Sequence, residues 1–397
     1  MAIAAPLTQA VTTEPQRPPR VLGLIWALLV LNTLGSTGAV TVVPIPRSVI
    51  QLLTMGALVG AFVLALVINL NLRIRPSAFL LLLTLLVVVS VLASLNLESG
   101  FGALFRCGRL ALFVATLWLL TRWWDSGLTF VRHHIRVLAV VLLSVAIGLA
   151  IAPGLALPET YSGRLVGAIW PLTAPQVGQY AAIAAGLTIV LWLASRTDGW
   201  SVWVIAAPAI GLLILSHTRT ATIGLIAALA VALMSLVLTT RRARRVFGWA
   251  AIGGIFVAVM LASAVQAWFQ RGQSTENLSS LTGRAKVWDA LLDAPRSISE
   301  HLFGVGLTDK SFDGLPIDSS WLAVYHEQGY VGIVLVAAML LILVVTAILR
   351  PPSPARACAI FLIVYCLVAS YTEAGLGDAS PYLLHLTVAA ALLTRGR

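Results

Sequence analysis

The sequence predicts an all-α polytopic membrane protein, and three observations carry that reading. First, 59% of the 397 residues are hydrophobic and only 10% are charged, against roughly 25% charged in a soluble domain. Second, apolar stretches long enough to cross a bilayer recur about twelve times along the chain. Third, the arginines fall on alternate loops between those stretches, as they do when they collect on the cytoplasmic side.

The elements follow in order. Residues 1–20 hold four prolines and no apolar core of signal-peptide length, so they read as a disordered cytoplasmic tail before an uncleaved anchor. Apolar stretches at about 21–43, 49–70, 78–97, 103–121, 135–157, 176–194, 200–216, 221–239 and 247–265 make nine spans over residues 21–265. Gly56 and Gly60 form a small-xxx-small pair in the second, where a neighbour can approach closely. Residues 266–330 form a long polar segment with short helices. Stretches at about 331–349, 357–371 and 380–394 make spans ten to twelve within residues 331–397.

Placing the N-terminus in the cytoplasm puts Arg17, Arg20, Arg73, Arg75, Arg122, Arg132, Arg136, Arg196, Arg241, Arg242, Arg244, Arg245, Arg350, Arg356, Arg395 and Arg397 inside. Only the acids Glu14, Asp125 and Asp198 join them. Both termini are then cytoplasmic, and the polar segment 266–330 lies outside, between spans nine and ten.

The net charge of +11 is thus a topology signal. The densest basic cluster, Arg241, Arg242, Arg244 and Arg245, sits between two apolar runs and reads as a cytoplasmic anchor, not a nucleic-acid surface. Membrane lipid is the partner expected there. The cysteines, Cys107, Cys358 and Cys366, lie in apolar stretches without metal-ligand spacing, so neither a disulfide, a metal site nor any cofactor is expected.

A hydrophilic segment as long as 266–330 is uncommon unless functional or disordered. It carries Trp268, Trp288, Phe303, Phe312, Trp321 and Tyr325, whereas disordered segments are poor in aromatics. Three smaller polar stretches share its predicted side: 158–180, 216–220 and 372–381. Arg219 stands in Ser216-His217-Thr218-Arg219-Thr220, where a charge near apolar runs is either an anion ligand or a side chain reaching the interface. Arg164 in Tyr161-Ser162-Gly163-Arg164 has the same two readings.

Arg284 opens an amphipathic helix in which Val287, Trp288, Leu291 and Leu292 form one stripe and Lys286, Asp289 and Asp293 face away, with Pro295 at its end. The helix either lies on the membrane surface or offers Arg284 as a phosphate ligand at its N-terminus. Leu302-Phe303-Gly304-Val305-Gly306 reads as a turn. Asp318, before Ser319-Ser320-Trp321, is a helix cap or a general base. His217, His301, His326 and His385 lack ligand spacing. His326 and Glu327 share a helix with Asp318 and, with Arg164, His217 and Trp288, make up the candidate substrate-binding set.

In their order, Arg164-Leu165-x-Gly167, Ser216-x-Thr218-Arg219-x-Ala221, Gly283-Arg284-x-x-x-Trp288, Leu302-Phe303-Gly304-Val305-Gly306 and Asp318-Ser319-x-x-Leu322 leading to Glu327-x-Gly329-x-x-Gly332 resemble the O-antigen ligase and polymerase family. The resemblance covers about residues 160–350. It implies a GT-C-like fold and a metal-independent enzyme of the bacterial cytoplasmic membrane. Such an enzyme moves a glycan from a polyprenyl diphosphate carrier to a hydroxyl of another glycan or a different acceptor, on the outer face. Other envelope glycan assembly proteins are further partners it implies. By position, Arg219 and Arg284 would bind the diphosphate and residue 318 would activate the acceptor. Ligases commonly have His-Asn where this chain has Asp318-Ser319. A transporter or flippase would also suit twelve spans, but would concentrate polarity near the midplane in two related halves, whereas here polarity gathers on one face.

Overall fold

The apolar stretches fold as helices in the computed structural model, which describes residues 19–35, 40–95, 100–260 and 284–394. The N-terminal tail, the first part of the polar segment with Thr282 and Gly283, and residues 36–39, 96–99 and 395–397 lie outside the described residues. The first nine helices are α1 (Val21–Thr33), α2 (Arg47–Ile68), α3 (Ala78–Ser94), α4 (Phe101–Leu120), α5 (Thr129–Ile151), α6 (Ala174–Leu193), α7 (Ala207–Ser216), α8 (Arg219–Val237) and α9 (Arg241–Met260). Two short helices follow, α10 (Arg284–Asp293) and α11 (Ile298–Phe303), then a two-stranded ribbon, β1 (Ser311–Phe312) and β2 (Leu315–Pro316). The chain closes with α12 (Ser320–Leu349), α13 (Pro354–Ala369) and α14 (Pro381–Leu393).

Among the described residues, seven helical segments are long and apolar enough to cross a membrane. They are α2, α4, α5, α6, the run Gly199–Ser216 that ends in α7, α8 and α12. The apolar helices α1, α3, α13 and α14 are shorter. At about 1.5 Å per residue, the 13 residues of α1 rise about 20 Å, less than the roughly 30 Å of hydrocarbon. The first stretch was expected to run to about residue 43, yet its helix stops at Thr33. Gly35, Pro44 and Pro46 interrupt the apolar run, and Val42 pairs instead with the Ala168 carbonyl (2.9 Å).

Helix starts are marked by a hydroxyl cap followed by proline, the combination that satisfies the first amides and fixes φ. Thr173 with Pro175 opens α6, Ser353 with Pro354 opens α13, and Ser380 with Pro381 opens α14. At the first of these, Gln176 completes a capping box.

Interloop hydrogen bonds sort the helix ends into two rims. On one rim the Trp170 indole donates to Leu34 O (3.3 Å), Leu165 N–H to Leu215 O (3.0 Å), Leu307 N–H to Ser94 Oγ (3.2 Å) and Ser320 N–H to Ser370 O (2.9 Å). On the other, Asn69 Nδ2 donates to Leu119 O (3.0 Å), Arg75 N–H to Thr121 Oγ1 (3.0 Å), Thr240 Oγ1 to Leu193 O (3.2 Å) and Arg242 to Trp192 O (2.7 Å). Every described polar stretch singled out from the sequence ends up on the first rim.

Helix α12 breaks at Gly329, whose φ is 63°. The break strands the carbonyls of His326 and Glu327, and the glycine turn after α11 takes them: Val305 N–H donates to His326 O (3.0 Å) and Gly306 N–H to Glu327 O (3.1 Å). Gly304, at φ 79°, faces Gly329 across this junction; a β-carbon on Gly304 would lie 2.4 Å from Gln328 N, and one on Gly329 2.4 Å from the Leu302 carbonyl. The two glycine motifs of the sequence are therefore two halves of one backbone joint. Gly329→Ala is expected to destabilise the protein by about 1–3 kcal/mol, the cost of a strained backbone conformation plus displaced neighbours. Gly102→Ala, where an added β-carbon meets nothing within 4 Å, should leave unfolding in detergent unchanged. Equal melting of both variants would refute the joint.

Candidate functional site

Arg164 is set by the loop before α6. Ser162 and Gly163 both take positive φ (54° and 67°), turning the chain so that Arg164 Nε donates to Ser216 O (3.3 Å). His217, left-handed at φ 49°, reverses α7 into α8 and makes Arg219 the first residue of α8. Gly178 lets this turn seat on α6, because a β-carbon there would lie 2.6 Å from Thr218 Cβ and 2.8 Å from Ser216 Oγ. The Thr218 hydroxyl donates to Ala174 O (3.0 Å). The hydroxyls of Thr220 and Thr372, 2.6 Å apart, join the start of α8 to the loop after α13.

Arg284 arrives from the opposite side. Its helix, α10, is seated by Leu291, buried with Ile317 and Ala323 in a small satellite core, and by Trp288, whose ring meets Tyr371 edge-on at 5.5 Å. The β1–β2 ribbon turns through Asp313 and Gly314, both at positive φ (50° and 76°), and feeds Pro316, Ile317 and Asp318 toward the same place. There Arg284 Nε meets Asp318 Oδ2 at 3.0 Å, with both side chains partly open to solvent.

Between these pieces lies a cavity of about 450 Å³ whose polar walls include Tyr161, Arg164, Gln179, Asp318, Glu373 and Tyr382. Burial lowers the basicity of Arg164; Glu373 supports its charge, while Arg284 and Arg219 lower it further. Arg164 thus feels both of the other two guanidiniums. Burial pushes the Glu373 carboxyl up to about 7, against the stabilising charges of Arg284 and Arg164 and with Asp318 adding to the rise.

The candidate residues of the sequence divide. Arg164 and Asp318 line the cavity. Arg284 reaches it through Asp318, and Trp288 supports the helix that carries Arg284. Arg219 lies near Arg164, and His217 shapes the turn between α7 and α8. His326 and Glu327 sit apart: His326 Nδ1 pairs with Arg296 (2.8 Å), and Glu327 accepts from Thr308 N–H (2.8 Å) and Thr308 Oγ1 (3.1 Å). Thr308, the partner of Glu327, lines a smaller cavity of about 200 Å³ with Arg106, Arg109, Asp309, Lys310 and Asp378.

Glu373 and Gln179 were not singled out from the sequence. The signal for Glu373 was faint, one carboxylate in a short loop between apolar stretches. Gln179 had none, since its role rests on contacts across the fold: a hydrogen-bonded chain runs from Trp26 to His134 (3.1 Å), His134 to His385 (2.8 Å) and His385 to Gln179 (3.1 Å). Among the described residues no group of three or more His, Cys, Asp or Glu is placed to hold a metal ion.

Residues 204–328 match the O-antigen ligase family. The similarity covers under a third of the chain. No curated protein matches it. The matched segment holds Arg219, Arg284, Trp288 and Asp318, whereas Arg164 and Glu373 come to the cavity from outside it. That family's activity, in general, is glycan transfer of the O-antigen ligase or polymerase kind, with a lipid-linked glycan donor and an acceptor.

The convergence of these loops is testable without substrate. Thr220→Cys combined with Thr372→Cys should form a disulfide under mild oxidation in the membrane, because the two side-chain oxygens already touch. The buried Cys107, Cys358 and Cys366 should stay reduced. A double variant that remains reduced would show that the loops after α7 and α13 do not meet.

Proposed function

We propose that this protein transfers a glycan from a polyprenyl-diphosphate-linked donor to an acceptor hydroxyl at the outer face of the bacterial cytoplasmic membrane. The observation that carries the proposal is one cavity at one rim walled by Arg164, Asp318 and Glu373, with Arg284 bound to Asp318 and with Arg219 and Arg284 both acting on the charge of Arg164. The arginine-rich opposite rim supports a topology of about twelve spans with both termini cytoplasmic.

The anomeric carbon of the donor is already activated by its diphosphate, so no covalent nucleophile is required. The bond between that carbon and the diphosphate oxygen breaks, and its electron pair stays on the diphosphate. Arg219 and Arg284, with Arg164 beside them, stabilise the growing negative charge. The acceptor oxygen bonds to the same carbon, and Asp318 takes its proton. Arg284 is bound to Asp318 before donor arrives. A diphosphate competing for Arg284 would release Asp318 as a base only when donor is in place.

Glu373 offers a second reading of the base, because a group titrating near 7 is well matched to proton transfer at neutral pH. The two readings have opposite pH signatures. If Asp318 is the base, ionisation of Glu373 above pH 7 adds negative charge where a diphosphate must bind. Transfer then falls through about pH 7, and Glu373→Gln removes that fall while Asp318→Asn abolishes turnover. If Glu373 is the base, transfer rises through the same range and Glu373→Gln abolishes it. We expect the first outcome.

Arg219→Ala and Arg284→Ala should each lower transfer by at least about 100-fold, the scale for losing one charge-stabilising donor, with normal membrane insertion. Wild-type product from either variant would remove that arginine from the site. Sizing the envelope glycans of a deletion strain separates the two transferase types. Shortened chains mean a polymerase, and accumulated full-length lipid-linked chains mean a ligase.

A further inference from the structure

The rim opposite the site has its own cavity, of about 440 Å³. Arg132, Arg196, Arg350 and Arg356 stand on its walls, and no Asp or Glu does. Arg132 comes from the first turn of α5, Arg196 from beyond the end of α6, and Arg350 and Arg356 from either side of the α12–α13 connection. A general excess of arginine on the cytoplasmic side accounts for basic loops. It does not account for four guanidiniums from three distant segments around a single hollow with no carboxylate on its walls.

Two further features define what would fit there. The N-terminus of α13, capped by Ser353, opens on the cavity, and the helix dipole there favours an anion. Leu393 is shared with an adjoining groove of about 480 Å³, walled largely by apolar side chains such as Phe79, Ile342, Leu343 and Ala390. Beside it, Ile348 and Leu349 are 66% and 78% exposed on α12, immediately before Arg350. A basic chamber that shares the Leu393 wall with an apolar groove has the polarity of a charged headgroup with its chains.

We propose that this rim binds an anionic phospholipid, with its phosphate among Arg132, Arg196, Arg350 and Arg356 and its acyl chains along the groove at Leu393. Basic pockets between membrane helices on the cytoplasmic side recognise such headgroups. A soluble di- or polyphosphate shares the phosphate chemistry but has no use for the groove. The site is separate from the transfer cavity and does not rest on the function proposed for it.

The test is native mass spectrometry of the purified full-length protein with cardiolipin, phosphatidylcholine or inorganic pyrophosphate added. Arg132→Gln, Arg196→Gln and Arg356→Gln are combined, and Arg350, which donates to Leu393 O, is left intact. Cardiolipin should bind the wild type about 100-fold more tightly than the triple variant, as expected for three basic side chains near a lipid surface. Phosphatidylcholine should not distinguish the two proteins. The single variant Arg196→Glu, at an exposed position, provides a milder change that should also weaken cardiolipin binding. Equal cardiolipin binding by wild type and Arg196→Glu would overturn the proposal. So would arginine-dependent binding of pyrophosphate without arginine-dependent binding of cardiolipin.

Discussion

A guanidinium at the edge of an apolar bundle must be paired or solvated, and that constraint organises the rim where the polar loops meet. Charge in low dielectric is costly without a partner. Here the partners are supplied from far along the chain: Arg284 by Asp318 at 3.0 Å, and Arg164 by the Ser216 carbonyl and the nearby Glu373. Satisfying the arginines therefore draws together the loop before α6, the α7–α8 turn, α10, the start of α12 and the loop after α13. The same arrangement that settles these charges leaves a cavity between them, with cations and carboxylates facing a common space.

The backbone obeys a parallel rule. In the membrane a broken helix must have its freed carbonyls bonded by protein, and α12 is broken at Gly329. The glycine turn after α11 answers that break with two amides. Further along, Gln328 Nε2 donates to Ser90 Oγ (2.9 Å) and Gly377 O (2.7 Å), joining α3, α12 and the loop that carries Glu373. The joint thus fixes the segment of α12 that begins beside Asp318, and so fixes the angle at which that residue enters the site.

Much of this was legible from residue order. Apolar runs located the helices, and the loop arginines separated the rims, because both follow from local composition. Arg164, Arg219, Arg284 and Asp318 stood out as charges where charge is expensive. What could not be read was which side chains a common space would select. His326 and Glu327 were expected to share a helix with Asp318, but the helix starts at Ser320 with Ser319 as its N-cap, so Asp318 lies just before it, and helical rotation and the glycine turn direct His326 and Glu327 to Arg296 and Thr308. Glu373 looked like one acid in a short loop; its importance comes from burial beside two arginines. The early end of α1 was hidden as well, since valines on either side of glycine and proline keep the hydropathy high while the backbone cannot continue as helix.

In the proposed mechanism donor diphosphate and Asp318 compete for Arg284, which couples donor arrival to release of the base. Equilibrium binding of a polyprenyl diphosphate lipid to purified Asp318→Asn protein tests this most directly, because loss of the competing carboxylate can be read without turnover. Tighter binding than to the wild type is the expected result. Unchanged or weaker binding would mean that Asp318 does not hold Arg284 against the donor, and would contradict that mechanism.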